Sequence, residues 1–169
     1  NQIRTIQVLI KEGNPQAAAT LAEKLTENIL VEMSAVNTNH PVVNAVLNQK
    51  FHLAREQGTS MIFKVGDMSG MRLNEEETVI LLSNLLDNAI RECVKVVKAG
   101  RKAVIHIKLV QEDGKIIFSV KNPVVEKVQI TDGIVQDSNG GMHGIGLSNV
   151  KAVVDKYGGD FVISCDSEK

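Results

Sequence analysis

The stretch Leu81-Leu82-Ser83-Asn84-Leu85-Leu86-Asp87-Asn88-Ala89-Ile90-Arg91-Glu92 decides how this chain is read. Leu82, Leu85, Leu86, Ala89 and Cys93 recur at helical spacing and make a broad apolar face. Asn84, Asn88, Arg91 and Lys95 fall at i, i+4, i+7 and i+11, a narrow polar stripe on the same helix. Asparagine competes with the helix backbone for hydrogen bonds, so two of them one turn apart in a Leu-rich helix call for a reason. Amide oxygens are neutral, hard ligands that can complete a Mg²⁺ shell otherwise built from phosphate and water. Arg91, one turn on, is suited to a phosphate oxygen. On polarity alone, the stripe also suits a solvated helix face.

Asn74 is a suitable N-cap for this helix. Glu75, Glu76 and Glu77 sit favourably in its electropositive first turn, and the helix is predicted to run to about Val97. Upstream, Thr59–Val65 reads as a strand. Before it, a helix opens at Pro41, carries Val43, Val46, Leu47, Phe51 and Ala54, and stops at Gly58. Downstream, Ala103–Val110 and Lys115–Val120 read as strands joined by a tight turn at Asp113-Gly114. Residues 124–143 are poorly periodic and too long for an ordinary connection, which marks a functional or mobile loop. A helix from about Gly144 to Tyr157, with Leu147, Val150, Val154 and Tyr157 facing inward, and a strand Asp160–Cys165 complete the pattern.

The first residues read differently. Ile3, Ile6 and Ile10 share one helical face, Gly13 and Asn14 stop that helix, and Pro15 suits the first turn of the next. Leu21, Leu25, Ile29 and Met33 then recur every four residues. Residues 1–36 are thus expected to form an antiparallel helical hairpin whose apolar stripes need a second copy, completing a four-helix bundle. The fold class is α+β: a dimerising hairpin over residues 1–38, then a two-layer α/β sandwich over 39–169.

A second motif stands at Gly140-Gly141-Met142-His143-Gly144-Ile145-Gly146-Leu147-Ser148-Asn149-Val150, where glycines run directly into an amphipathic helix. Glycine lets the backbone come close to an anion, and a helix start offers unpaired N–H groups and a positive dipole end. No Gly-Lys-Ser/Thr follows, so this is not a P-loop. Asn149 stands where a dinucleotide fingerprint needs its third glycine. Taken alone, Gly-x-Gly is also an ordinary turn.

Together, Asn84-Leu-Leu-Asp-Asn88-Ala and His143-Gly144-Ile145-Gly146-Leu147-Ser148-Asn149-Val150 resemble the N box and the second glycine box of the GHKL group of ATP-binding (Bergerat) domains. That group includes gyrase, mismatch-repair proteins, heat-shock chaperones and bacterial histidine kinases. The resemblance covers roughly residues 59–165. It implies ATP and Mg²⁺ as ligands, with 124–143 as a lid. It matches Asn88 to the Mg²⁺-coordinating asparagine and Arg91 to a basic catalytic position of kinases. His143, Gly144, Ile145, Gly146 and Leu147 match the segment that closes on the phosphates. Asn84 stands where ATP-hydrolysing members carry a water-activating glutamate. An amide takes no proton, so the resemblance points to phosphoryl transfer by a sensor histidine kinase, with Asn84 in the catalytic site.

The first glycine box departs from the family. Lys121-Asn122-Pro123-Val124 follows the second of the paired strands, without the glycine pair. Asn122 occupies the place of the adenine-reading aspartate and can still accept from an amino group, or it is a turn residue before Pro123. A subgroup of kinases including quorum-sensing kinases of the AgrC type carries asparagine there, and the hairpin resembles that of sporulation phosphotransferases. None of His40, His52, His106 and His143 makes a convincing phosphoacceptor. Asn1-Gln2-Ile3 resembles the tail of the acceptor box, which places the acceptor histidine upstream of Asn1. The chain is therefore expected to bind ATP without phosphorylating itself.

The 19 Lys plus Arg against 20 Asp plus Glu give a net charge of −1, against nucleic-acid binding through a broad basic surface. No apolar run reaches the ~18–20 residues of a membrane helix. Cys93 and Cys165 show no metal-ligand spacing and suit a reducing, cytoplasmic setting, with a membrane-anchored parent implied by the family. The expected partners are a second copy through residues 1–36 and a response-regulator receiver domain. Two other readings compete. One is a non-catalytic dimeric scaffold or phosphotransfer module without effective ATP use. The other is a serine kinase of the anti-sigma-factor type, which leaves the hairpin unexplained.

Overall fold

The structure is a computed structural model and describes residues 2–32, 36–131, 134–136 and 144–166. The chain divides into two compact units, Asn1–Ala35 and Val36–Lys169.

In the first unit, α1 (Gln2–Lys11) and α2 (Pro15–Glu32) are joined through residues 12–14 and contact each other. The turn follows from its sequence. Gly13 takes φ +73°, a conformation that costs glycine little. Gly13 N–H then donates to Ile10 C=O at 3.2 Å and Asn14 N–H to Leu9 C=O at 2.9 Å, the paired bonds of a Schellman stop. Asn14 Oδ1 accepts from Ala17 N–H at 3.3 Å, so one residue ends α1 and caps α2, with Pro15 at the first helical position. Val8 and Ile10 are exposed. Of the α2 stripe, Leu21 is half-buried; the side chains of Leu25, Ile29 and Met33 lie outside the described residues.

The second unit is built on a three-stranded sheet of order β1-β2-β3 (β1 Ser60–Val65, β2 Val104–Glu112, β3 Lys115–Lys121). β1 pairs in parallel with β2, and the crossover between them is α4 (Glu75–Lys98); β2 and β3 form an antiparallel hairpin. Asp113 and Gly114 both have positive φ, 50° and 74°, which suits the twist of a two-residue hairpin turn. Alternation sorts the faces. Met61, Ile105, Ile107 and Leu109 are buried on the side covered by α3 (Pro41–Glu56) and α4, while Ile62 and His106 are exposed on the other. Leu47 of α3 and Leu82, Leu86, Cys93 and Val96 of α4 complete this core, and Lys50 Nζ bonds Asp87 Oδ1 at 2.7 Å across the two helices. The second helix layer ends with α5 (Gly144–Lys156), which packs on α4.

Four expectations are corrected. Asp160–Cys165 is not a strand. Its side chains alternate between half-buried Phe161, Ile163 and Cys165 and exposed Val162, but its backbone joins no ladder among the described residues. A period of two creates a strand only where a neighbouring backbone supplies partners. The stretch 124–143 is not featureless: β4 (Gln129–Thr131) and β5 (Ile134–Gln136) form an antiparallel pair within it. Among the described side chains of α5, Val150 and Val153 are buried, whereas Tyr157, just past its end, is 46% exposed with its hydroxyl on Glu77. On α4, Leu85 is half-buried and Ile90 takes a core position. No helix among the described residues is long and apolar enough to cross a membrane.

The two thiols differ in surroundings. Cys93 is fully buried, and burial pushes its pKa up to about 11, whereas Cys165 is half-exposed. Because the thiolate is the reacting species, Cys165 should react with an aromatic disulfide reagent in the native protein and Cys93 only after unfolding. Counting thiols released at mildly alkaline pH, with and without denaturant, checks this. Rapid native modification of Cys93 would contradict the packing.

Candidate nucleotide site

α4 carries the polar stripe because its sequence starts it firmly. Asn74 Oδ1 accepts from Glu77 N–H at 2.8 Å and Glu77 Oε2 accepts from Asn74 N–H at 3.2 Å, a complete capping box. From that fixed start Asn84, Asn88 and Arg91 follow on one face. Asn84 and Asn88 are half-buried and Arg91 is exposed.

Asn84 Nδ2 donates to Ile80 C=O one turn back at 2.8 Å, which leaves Oδ1 directed away from its own helix. A Cβ placed on Gly146 of α5 would lie 3.0 Å from that Oδ1. The glycine-rich start of α5 therefore approaches α4 as closely as a missing side chain allows, and the two motifs meet in space. One turn further on, Asn88 Oδ1 accepts from the Arg91 guanidinium. The first N–H groups of α5 have no partner within their helix and lie at its electropositive end.

At its far end α5 returns to the start of α4. Lys156 Nζ pairs with Glu77 Oε1, and Tyr157 O–H donates to Glu77 Oε2 at 2.5 Å. The contacts of Gly146 with Asn84 and of Lys156 with Glu77 make the helices antiparallel. Glu77 is buried, and its carboxyl is held below the usual carboxylate range, first by the Lys156 contact and next by Tyr157. By sequence, Glu77 is one of three acidic residues in the first turn of α4. The Asn74-x-x-Glu77 spacing was the signal that singles it out; Lys156 and Tyr157, 79 and 80 residues away, left none.

A depressed carboxyl pKa stabilises the fold above the unfolded value, and that stabilisation is lost as pH falls through the folded value. Wild type should thus melt higher than Glu77→Gln near neutrality, and the difference should shrink as pH falls below the ordinary carboxylate value of 4.5 and through the lower folded one. Thermal melts across that window check this; a constant difference would contradict it.

The remaining residues read from sequence are placed less directly. Asn122 follows β3 and its Nδ2 donates to Pro123 C=O at 3.0 Å, the geometry of a local turn; no hydrogen bond joins it to α4 or α5 among the described residues. Leu147 is half-buried. Gly144 and Ile145 form the first turn of α5, and His143 lies outside the described residues. Of the other histidines, His40 caps α3, its Nδ1 accepting from Val43 N–H at 3.3 Å. His52 stands edge-on to Phe51 with its Nε2 buried, and His106 is exposed on a strand.

Amide oxygens, a helix start beside them and a guanidinium one turn away form a donor set suited to a phosphate chain with a hard cation. Among the described residues, no cluster of His, Cys, Asp and Glu could hold a metal. A cation at α4 would thus combine an amide oxygen with ligand and water oxygens. The family model described as the GHKL domain matches residues 73–169, from just ahead of the α4 cap through α5. The chain belongs to the GHKL family. GHKL domains bind ATP, typically with Mg²⁺, and are of the phosphotransferase or ATPase type. No curated protein is similar enough to this chain to count as a match. Within this GHKL domain the matched span holds both boxes; β1, included in the wider resemblance read from sequence, precedes it.

Proposed function

We propose that this chain is the ATP-binding catalytic part of a sensor histidine kinase, which phosphorylates a histidine on a dimerising helical hairpin and then serves a response-regulator aspartate. The observation that carries the reading is Asn84, an amide whose oxygen faces Gly146 where a hydrolase needs a carboxylate. Asn88 would offer its amide oxygen to Mg²⁺, and Arg91 would meet a phosphate oxygen. The N–H groups at the start of α5 would take further phosphate oxygens. Mg²⁺, when bound, supplies positive charge to the phosphates. The protein's own contribution is position and charge rather than covalent chemistry, and Asn84 leaves water without a base. Ile10, exposed at the end of the Ile3, Ile6 and Ile10 stripe of α1, supports a second copy covering that unit.

The test is calorimetric titration of ATP with and without Mg²⁺, together with phosphate release. The kinase reading expects Mg²⁺-dependent binding and phosphate release near background. Rapid release would make the domain an ATPase. A non-catalytic scaffold is favoured by one observation, the turn of Asn122 onto Pro123 C=O where adenine would be read. Absence of heat at millimolar ATP would support it.

A further inference from the structure

We infer that Glu77, Lys156 and Tyr157 form a tether that positions the glycine-rich start of α5 against Asn84, so that affinity at the nucleotide site is set partly from the opposite end of both helices. This rests on the ATP-binding reading given above. Gly146 and Lys156 are about 15 Å apart along α5, and Glu77 and Asn84 about 10 Å apart along α4, at 1.5 Å per residue. The cluster therefore lies well away from Asn84 and Gly146, and its three members are positioning residues.

Polar contacts give α5 a direction that its apolar contacts do not. Among its described side chains Val150 and Val153 are buried, and apolar contact is non-directional, so it tolerates a small slide or rotation of the helix. The close approach at Gly146 does not tolerate one. It places backbone at Asn84 Oδ1, and the next residue round the helix would bring a side chain there. Direction must come from polar contacts. Two adjacent residues, Lys156 and Tyr157, converge on the two oxygens of one carboxylate, fixing α5 both along its axis and about it. That carboxylate is held in turn: Glu77 Oε2 accepts from Asn74 N–H, and Glu77 sits in the first turn of the helix that carries Asn84. Tyr157 remains 46% exposed, and the Lys156 ammonium lies 5.5 Å from its ring centroid, so the hydroxyl bond rather than burial fixes the ring.

Tyr157→Phe and Lys156→Met remove one arm each, and Lys156→Arg keeps the charge. Each removal should weaken Mg-ATP binding about three- to tenfold, with Lys156→Arg close to wild type. Amide hydrogen exchange without nucleotide should quicken at residues 146–150 and stay unchanged at 82–90, a pattern that general destabilisation does not produce. Unchanged affinity and exchange in both variants, with wild type binding ATP, would overturn the tether alone. If wild type binds no ATP, the functional reading falls, and the exchange at 146–150 still decides whether the tether holds α5.

Discussion

Replacing Asn88 by alanine is expected to remove the Mg²⁺-dependent part of ATP affinity, a loss of about 100-fold, or about 3 kcal/mol. The side chain is half-buried on α4 and offers one amide oxygen, at present bonded to Arg91. With no acidic cluster among the described residues to replace that oxygen, a cation there loses its protein ligand. Alanine is also the better helix former, and the bond to exposed Arg91 adds little stability, so the melting temperature should hold or rise slightly. Asn88→Asp separates ligand from charge: it keeps an oxygen for the cation while setting a negative charge against the phosphates, and should fall between the two. Titrations with Mg²⁺ and with a chelator supply the measurement. Equal Mg²⁺ dependence in wild type and Asn88→Ala would remove Asn88 from the site.

Gly146→Val is expected to lower ATP affinity by at least about 30-fold, close to 2 kcal/mol, through space alone. Its φ is not in the left-handed region, so the backbone does not demand glycine here; the neighbour does. A single Cβ would already stand 3.0 Å from Asn84 Oδ1, and the Asn84 amide is anchored to Ile80 C=O and yields little. Alanine asks for a few tenths of an ångström, while the two methyls of valine push α5 off α4, an overpacking cost of about 1–3 kcal/mol. Gly146→Ala should therefore cost only severalfold. The double variant Asn84→Ala, Gly146→Val should recover the hydrogen-exchange protection of α5, because the obstructing amide is gone. Affinity unaltered by valine would show that the close approach has no bearing on binding.

The parts legible in the sequence were those whose cause is local. Gly13-Asn14-Pro15 encodes a stop, a cap and a start in consecutive residues, and Asp113-Gly114 encodes a hairpin turn. The stripe through Asn84 and Asn88 follows from helical spacing alone. The β4–β5 pair was legible too: Gln129-Ile-Thr-Asp-Gly-Ile-Val-Gln136 alternates around an Asp-Gly dipeptide, a strong short-range hairpin signal that the low overall periodicity of 124–143 obscured. Other features depend on residues far apart in the chain. Nothing near Tyr157 says that its hydroxyl serves Glu77 rather than a core, and nothing within Asp160–Cys165 says whether a neighbouring backbone will pair with it. Alternation and amphipathicity report which side chains turn inward, and leave open what meets them.

The contact between Arg91 and Asn88 makes the α4 site its own competitor. On the proposed reading, the amide oxygen offered to a cation is already engaged by the exposed Arg91 guanidinium, so a lone Mg²⁺ arriving from solution would have to displace it and would gain one neutral oxygen. A cation that arrives with a phosphate chain meets a different balance, because the displaced guanidinium then has an anion to turn to. On that reading, the resting arrangement would act as an exclusion rule, favouring the metal–nucleotide pair over either component taken separately.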